Sequence, residues 1–535
     1  MMERTGDWRA PAALVLWATT WLWLWADAAF LPLWPSLAAL LIVFLVRRVI
    51  TGILAGAAAG VIIIADGNPA EAFVAFFTEH LIPSLQSSWN ISVLIFTLLL
   101  GGFVALIEHS GGLQGLIGRC FHPDGDRRKR VQWSTFALGL ICFFDGLANS
   151  MLVGRSMRPL ARAAGVSREK LAYLVDSTSA AVACVAFVST WIAYQLSMIR
   201  EGFALANQET NPYLLFLQSI PYNFYCWFTL LLVAVVILRN WNPGPMKAAE
   251  EQALNETEPV ATHAPEPAKT TSPLRALVPL GTLLTAILGG LYLSGRAPGT
   301  PVSLRSIADA FGEADAATVL VTASAFACLT AFAFCWKPKQ ERRGNGSADA
   351  FLKGMTSLFV PALILVSAWT LSSTLGELET AAFLSTALEE RLPLFLLPSG
   401  VFLTGMAIAF TTGTSWGTMG VLMPLALPVT LALTGDLDAA ESSPFIAATV
   451  AAVFGGAVFG DHCSPLSDTT IVSSIACDLE PMEHVRTQIP YALIAAGTAL
   501  ILGYLPVGIG LPVWAGLPAG VVLIWLLPRI YSRKR

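Results

Sequence analysis

Charge is what this sequence has least of. Asp, Glu, Lys and Arg make up 13% of its 535 residues, about half of the ~25% carried by soluble globular chains. A chain so short of solvating side chains cannot cover itself with polar surface, so its bulk must face something other than water. Disordered, collagenous, coiled-coil and secreted disulfide-scaffold classes need compositions that are absent here. A net charge of −4 supplies no basic field of the kind that recruits nucleic acid. Cysteine is sparse as well, with eight residues and no Cys-x-x-Cys pair. Cys142, Cys184, Cys226, Cys328 and Cys335 lie in apolar segments and read as small hydrophobes of a helical core.

Apolar length is what the chain has instead. Hydrophobic residues make up 55% of it, and mean hydropathy is +0.64. Residues 81–107, 212–238 and 489–528 contain no Asp, Glu, Lys or Arg. A helix rises ~1.5 Å per residue, so a run of about 18 or more apolar residues bridges a bilayer core of ~30 Å. The pattern predicts an all-α polytopic membrane protein with about twelve crossings. These fall at 11–31, 32–46, 49–65, 83–107, 171–199, 212–239, 274–294, 316–335, 355–376, 444–475, 489–508 and 511–527.

The basic residues orient these crossings, because cytoplasmic loops retain Lys and Arg. Clusters occur at Arg47–Arg48, Arg127–Arg130, Arg155 to Lys170, Lys337 to Arg343 and Arg533–Arg535. The loops holding Asp66, Glu71 and Glu79, or Asp436, Asp438 and Glu441, have no basic residue. Both termini are therefore expected on the cytoplasmic side of an inner membrane. Segment 131–165 has basic residues at both ends, which predicts a re-entrant hairpin that leaves by the side it entered. Irregular backbone at that depth is tolerated where it is buried in protein or lines a wet cavity. Residues 240–272 hold Glu250, Glu251, Glu256, Glu258, Glu266 and five prolines, and read as a flexible cytoplasmic linker. Residues 1–31 read as an extra helix or a signal peptide, with Asp27 and the Trp-rich run favouring the helix.

The halves flanking the linker repeat. Ser167 onward lies on Ser443 onward without gaps, which sets Ser177–Val182 against Val453–Val458. Asp145 through Met151 to Pro159 parallels Gly413 through Met419 to Pro424, so a second hairpin is expected at 391–433. The repeats are 32–239 and 273–510, and 511–535 adds a last helix and a basic tail. The corresponding helices 83–107 and 355–376 run in opposite directions in this topology. Inverted repeats with interrupted hydrophobic segments mark secondary transporters whose site lies at the repeat interface.

The densest polar stretch in apolar surroundings is Gly460 to Thr470. Carboxylates at membrane depth are costly and mark function by default. Asp461 and Asp468 are the candidate ion or proton ligands, with Ser464, Ser467 and Thr469 as hydroxyl donors. Pro465 breaks the helix and frees carbonyls. Such oxygen donors suit a hard cation like Na⁺, and Asp145 is expected to share in holding it. Zinc at Asp461, His462 and Cys463 fails because adjacent residues diverge on a helix. Asn149 joins Asp145 in the first dip, while Gly413, Thr414, Ser415 and Gly417 form the second. Asp176, Ser177 and Thr178 add an acid and hydroxyls in the mirrored helix.

The stretch Asp461 to Thr470, followed by His484-Val485-Arg486-Thr487-Gln488-Ile489-Pro490-Tyr491, resembles the NhaC family of Na⁺/H⁺ antiporters. Thr412 to Met419 with Pro424, Lys170 to Thr178, and Ser189-Thr190-Trp191 fit the same pattern, so the likeness spans about 143 to 491. The resemblance implies a helical bundle with two re-entrant hairpins that exchanges Na⁺ for H⁺ without a cofactor. The chain departs from the family pattern at Gly146, where a second aspartate is usual, and at Ala181 and Phe187, where prolines are usual. The alternative is a Na⁺- or H⁺-coupled carrier of an amino acid or carboxylate. No nucleophile–base pair, metal-ligand spacing or repeated pore filter appears, which disfavours an enzyme or a channel. Expected partners are the two ions and the lipid bilayer, and a homodimer is left open.

Overall fold

In a hydrocarbon core no water is available to the backbone, so an uncharged run must bond to itself as a helix. The computed structural model describes residues 9–46, 48–112, 115, 126–255, 271–297, 299–335, 346–388 and 393–532. Among the described residues every regular element is helical. Among the described residues nine helices are long and apolar enough to cross a membrane, and a tenth appears if the bent pair Pro212–Tyr222 and Phe224–Arg239 counts as one span. Phe326, Leu329, Trp514 and Val522 are exposed on the outer faces of such helices, as contact with lipid requires.

Seven of the nine are among the twelve expected, the other two being the arms of the second hairpin; the bent pair adds an eighth, and the remaining four fail for two reasons. The first three segments form only short apolar helices, Pro11–Trp25, Leu31–Val46 and Val49–Ile64. The crossing expected at 171–199 is three pieces, Arg168–Ser177, Ala180–Val185 and Ile192–Leu205. Hydroxyls break it: Thr178 donates to the Leu174 carbonyl at 2.9 Å, Ser179 to Asp176 at 3.0 Å, and Ser189 to Ala183 at 2.8 Å. Side chains that bond the backbone locally compete with the helical ladder.

Both hairpins form. The first pairs Arg127–Ile141 with Gly146–Ala163, and the second pairs Leu397–Thr412 with Ser415–Leu433. Each second arm starts at a capping side chain: Asp145 accepts from the Ala148 amide at 2.6 Å, and Thr414 from the Gly417 amide at 3.1 Å. Caps of this type satisfy amides that the first turn leaves orphaned. The register that lays Ser167 on Ser443 carries 186–191 onto 462–467. The second repeat breaks there too, between Ala439–Cys463 and Asp468–Cys477.

Each hairpin tip meets the break of its own repeat. The Thr190 amide donates to the Phe144 carbonyl at 2.9 Å in the first. In the second, the Ser464 hydroxyl donates to the Phe410 carbonyl at 2.7 Å. The second arms cross over: Gly146–Ala163 packs along Asp468–Cys477, and Ser415–Leu433 packs along Ile192–Leu205.

The early part of the expected linker is ordered, since Met246–Asn255 is a helix with Met246 and Glu250 buried. Glu250 accepts from the Ser167 amide at 2.9 Å and pairs with Arg128 at the base of the first hairpin. Nearby, the buried Lys170 donates to Asn242 Oδ1 at 2.7 Å and lies 5.7 Å from the Tyr173 and Tyr491 ring centres. The later linker acids Glu256, Glu258 and Glu266 lie outside the described residues, as do Arg47 and the basic clusters Lys337–Arg343 and Arg533–Arg535.

Candidate functional site

Pro465 carries no N–H, so helix Ala439–Cys463 stops two residues before it and its last carbonyls need other partners. The chain folds its own hydroxyls back onto them. Thr469 and Thr470 both donate to the Asp461 carbonyl, at 2.8 and 2.7 Å. Ser467 donates to Asp461 Oδ1 at 3.1 Å and lies 3.0 Å from Thr469 Oγ1. From the facing hairpin the Ser415 hydroxyl lies beside the same carboxylate. Asp461 is only 4% exposed. One carboxylate, three hydroxyls and the Asp461 carbonyl thus meet at a helix break, where a hard cation finds oxygen ligands.

Close approach makes this possible. Gly413 has φ +70°, and a Cβ there would lie 2.6 Å from the Leu466 carbonyl carbon. Only glycine lets the hairpin tip rest against the break.

The expected ligands do not all converge. Ser464 turns away to the Phe410 carbonyl. Asp468 is exposed at the start of its helix, with Ser467 as its N-cap residue. Asp145 sits in the other repeat, where its second carboxylate oxygen accepts from the Thr190 hydroxyl at 2.8 Å. Asn149 donates to the Gly139 and Thr178 carbonyls, both at 2.8 Å, and so ties the two arms of the hairpin to each other and to the end of Arg168–Ser177. Thr178 spends its hydroxyl on its own helix. Asp145 therefore stands at the tip of the first hairpin and Asp461 on the broken helix of the second repeat, at positions the repeat register does not pair.

A second buried cluster joins the repeats. Asp176 is 1% exposed and accepts from Gln488 at 2.6 Å and from Ser473 at 3.1 Å, with His484 Nε2 at 3.2 Å. Ser177 Oγ lies 2.6 Å from His462 Nε2, and Tyr225 OH lies 2.7 Å from His462 Nδ1. Asp461, His462 and Cys463 face three different partners, since Cys463 bonds back to the Phe459 carbonyl. Sequence reasoning placed Ser150 in the first dip and Thr190 among the hydroxyls of the mirrored helix, but left Tyr225, Ser473, His484 and Gln488 without a role. The one available signal was His484 and Gln488 at i, i+4, which puts both on one face of Pro481–Ala499.

A sequence profile described as the Na⁺/H⁺ antiporter family matches residues 182–509. An uncharacterized protein of Haemophilus influenzae is 30% identical over 515 residues, covering 94% of this chain and 95% of that protein. Two Bacillus subtilis proteins align over shorter stretches. The malate-2H⁺/Na⁺-lactate antiporter is 32% identical over 165 residues, 29% of this chain and 32% of its own. The Na⁺/H⁺ antiporter NhaC is 30% identical over 182 residues, 32% of this chain and 35% of its own. Among solved structures, the YdaH transporter of Alcanivorax borkumensis shares the fold with a TM-score of 0.56 at 14% identity, covering 83% of this chain and 90% of that one. The family's members are transporters rather than enzymes, and the profile takes in the break at 464–467, the second hairpin and the His484 helix. The chain belongs to the Na⁺/H⁺ antiporter family.

Proposed function

We propose that this secondary transporter exchanges Na⁺ for H⁺ across the cytoplasmic membrane by alternating access, with Asp461 as the ion-binding carboxylate. The observation that carries the reading is the buried Asp461 carboxylate ringed by Ser415, Ser467 and Thr469 at a helix break. A dehydrated alkali cation loses its water shell on entering such a site, and carboxylate, hydroxyl and carbonyl oxygens replace it. A single negative charge matches a single positive one, so the loaded site is neutral in a medium that penalises net charge. Both hairpin tips close on breaks, which gives the two repeats matching contacts to make and release as the site opens to either side. The positive-inside bias supports termini in the cytoplasm.

The test is Na⁺-driven pH change in everted membrane vesicles, with Li⁺ and K⁺ as comparison ions. Asp461→Asn abolishes the response while the protein stays folded; normal exchange by that variant sinks the assignment.

A second reading, coupled transport of a small carboxylate, draws on the malate-2H⁺/Na⁺-lactate relative. It also draws on the helix N-termini at Gly146 and Ser415, whose dipoles favour an anion at the breaks. Labelled-carboxylate uptake into proteoliposomes, without Na⁺-driven proton movement, would favour it.

A further inference from the structure

Asp176 is held by residues that meet only in the folded protein. Gln488 and His484 come from Pro481–Ala499, and Ser473 comes from Asp468–Cys477. The Ser473 oxygen also lies 2.9 Å from the Ser150 hydroxyl on the first hairpin. Two donors, the Gln488 amide and the Ser473 hydroxyl, satisfy the carboxylate without any help from His484. A purely structural acid needs no more than that. His484 is fully buried, and its Nδ1 has no hydrogen-bond partner among the described residues. Its neighbour His462 differs, because both of its ring nitrogens are engaged, by Ser177 and Tyr225.

An imidazole beside a carboxylate in a low-dielectric interior is a one-proton store. With one proton the pair is neutral; without it the pair carries one negative charge, which Gln488 and Ser473 still solvate. Gln488 also donates to the His462 carbonyl, next in the chain to Asp461. That one side chain therefore bonds Asp176 directly and the backbone of the residue adjoining Asp461.

We propose that the Asp176–His484 pair carries the proton of the exchange, separately from the ion at Asp461, and that Gln488 links the two. This rests on the Na⁺/H⁺ reading above and names where its proton resides. One H⁺ joins the pair from one side of the membrane and leaves to the other; no covalent bond changes. The titratable groups facing the pair are Asp461, His462 and Cys463 from Ala439–Cys463, Cys477 from the following half-helix, and Tyr225. Arg158 of the first hairpin adds a positive charge on the Cys477 side. Gln488 bonds both Asp176 and the residue next to Asp461, and two negative charges so near each other in a low-dielectric interior are costly, so loading one site favours unloading the other.

Radiolabelled Na⁺ counterflow at equal pH and Na⁺-driven H⁺ movement separate the two roles in proteoliposomes of purified protein. His484→Gln keeps a hydrogen-bonding amide at this position but cannot titrate. Replacing both partners, Asp176→Asn with His484→Gln, removes both charges at once and leaves none unpaired. In both variants counterflow stays within about two-fold of the parent, while H⁺ movement falls at least about ten-fold and counterflow loses its pH dependence. Asp461→Asn shows the opposite, losing counterflow itself. Parental H⁺ movement in the variants overturns the proposal, as does an equal loss of both fluxes in folded protein. A parent that moves H⁺ but not Na⁺ overturns the ion reading, and this division of labour falls with it.

Discussion

Gly413→Ala tests whether the seat of the second hairpin sets ion affinity. An alanine Cβ there would lie 2.5 Å from Leu466 Cβ, 2.6 Å from its carbonyl carbon and 2.7 Å from its oxygen. Two of these atoms are backbone, so no rotamer change relieves them, and the tip must retreat by roughly 1 Å to reach ordinary contact. The φ of +70° adds about 1–2 kcal/mol of left-handed strain, and overpacking adds about 1–3 kcal/mol. The seam therefore loses about 2–5 kcal/mol. Retreat of the tip draws Ser415 from Asp461 and stretches the 2.7 Å bond from Ser464 to Phe410. A hydrogen bond to a charged group contributes about 1.5–3 kcal/mol, equivalent to a ten- to hundred-fold weaker apparent Na⁺ affinity. The assay is half-maximal Na⁺ concentration in everted vesicles, alongside thermal unfolding in detergent. Gly146→Ala is the control, because its added Cβ meets nothing closer than 3.7 Å. Parental melting and parental Na⁺ dependence in Gly413→Ala would refute the reasoning.

Two further outcomes follow from groups remote from the ion. Glu250→Ala leaves the largely buried Arg128 unpaired and removes the acceptor for the Ser167 amide, so it destabilises the fold by about 3 kcal/mol in detergent melting; an unchanged midpoint would discount the linker helix as a clamp. His80, outside the membrane-spanning helices, has Nδ1 2.9 Å from Ser373 Oγ, and burial holds its pKa below the usual 6.5 in spite of Glu377. The unfolded chain takes up that proton first, so stability is complete above 6.5 and falls as pH drops below it. His80→Gln should flatten the acid limb of a melting-point profile, and an unaltered limb would place the acid sensitivity elsewhere.

What the sequence made legible was local. Charge bias located the first hairpin, Pro465 announced the break, and rarity of acids in apolar runs picked out Asp461. The repeat register aligns the two breaks in the structure, but the sequence alone reads as one crossing at 171–199; that segment lacks prolines at Ala181 and Phe187 and is broken by hydroxyls instead. What stayed hidden depends on distance along the chain. His484 and Asp176 are 308 residues apart, and no periodicity reports such a pairing. Asp468 and Ser464 looked equivalent to Asp461 and Ser467 in sequence, yet the turn after Cys463 aims one pair at the site and the other away from it. Polar composition made 240–272 read as free chain, while the buried carboxylate of Glu250 ties Met246–Asn255 to the first hairpin.

The crossed packing of the hairpins has a consequence for how the chain is held together as a whole. Since Gly146–Ala163 lies on Asp468–Cys477 and Ser415–Leu433 lies on Ile192–Leu205, neither repeat covers its own polar break alone. The chain is in effect a dimer of two unlike halves sharing one covalent tether. A tether of this kind turns their meeting into an intramolecular event at an effective concentration in the millimolar range. The halves need then be only weakly attracted to stay assembled along their shared seam.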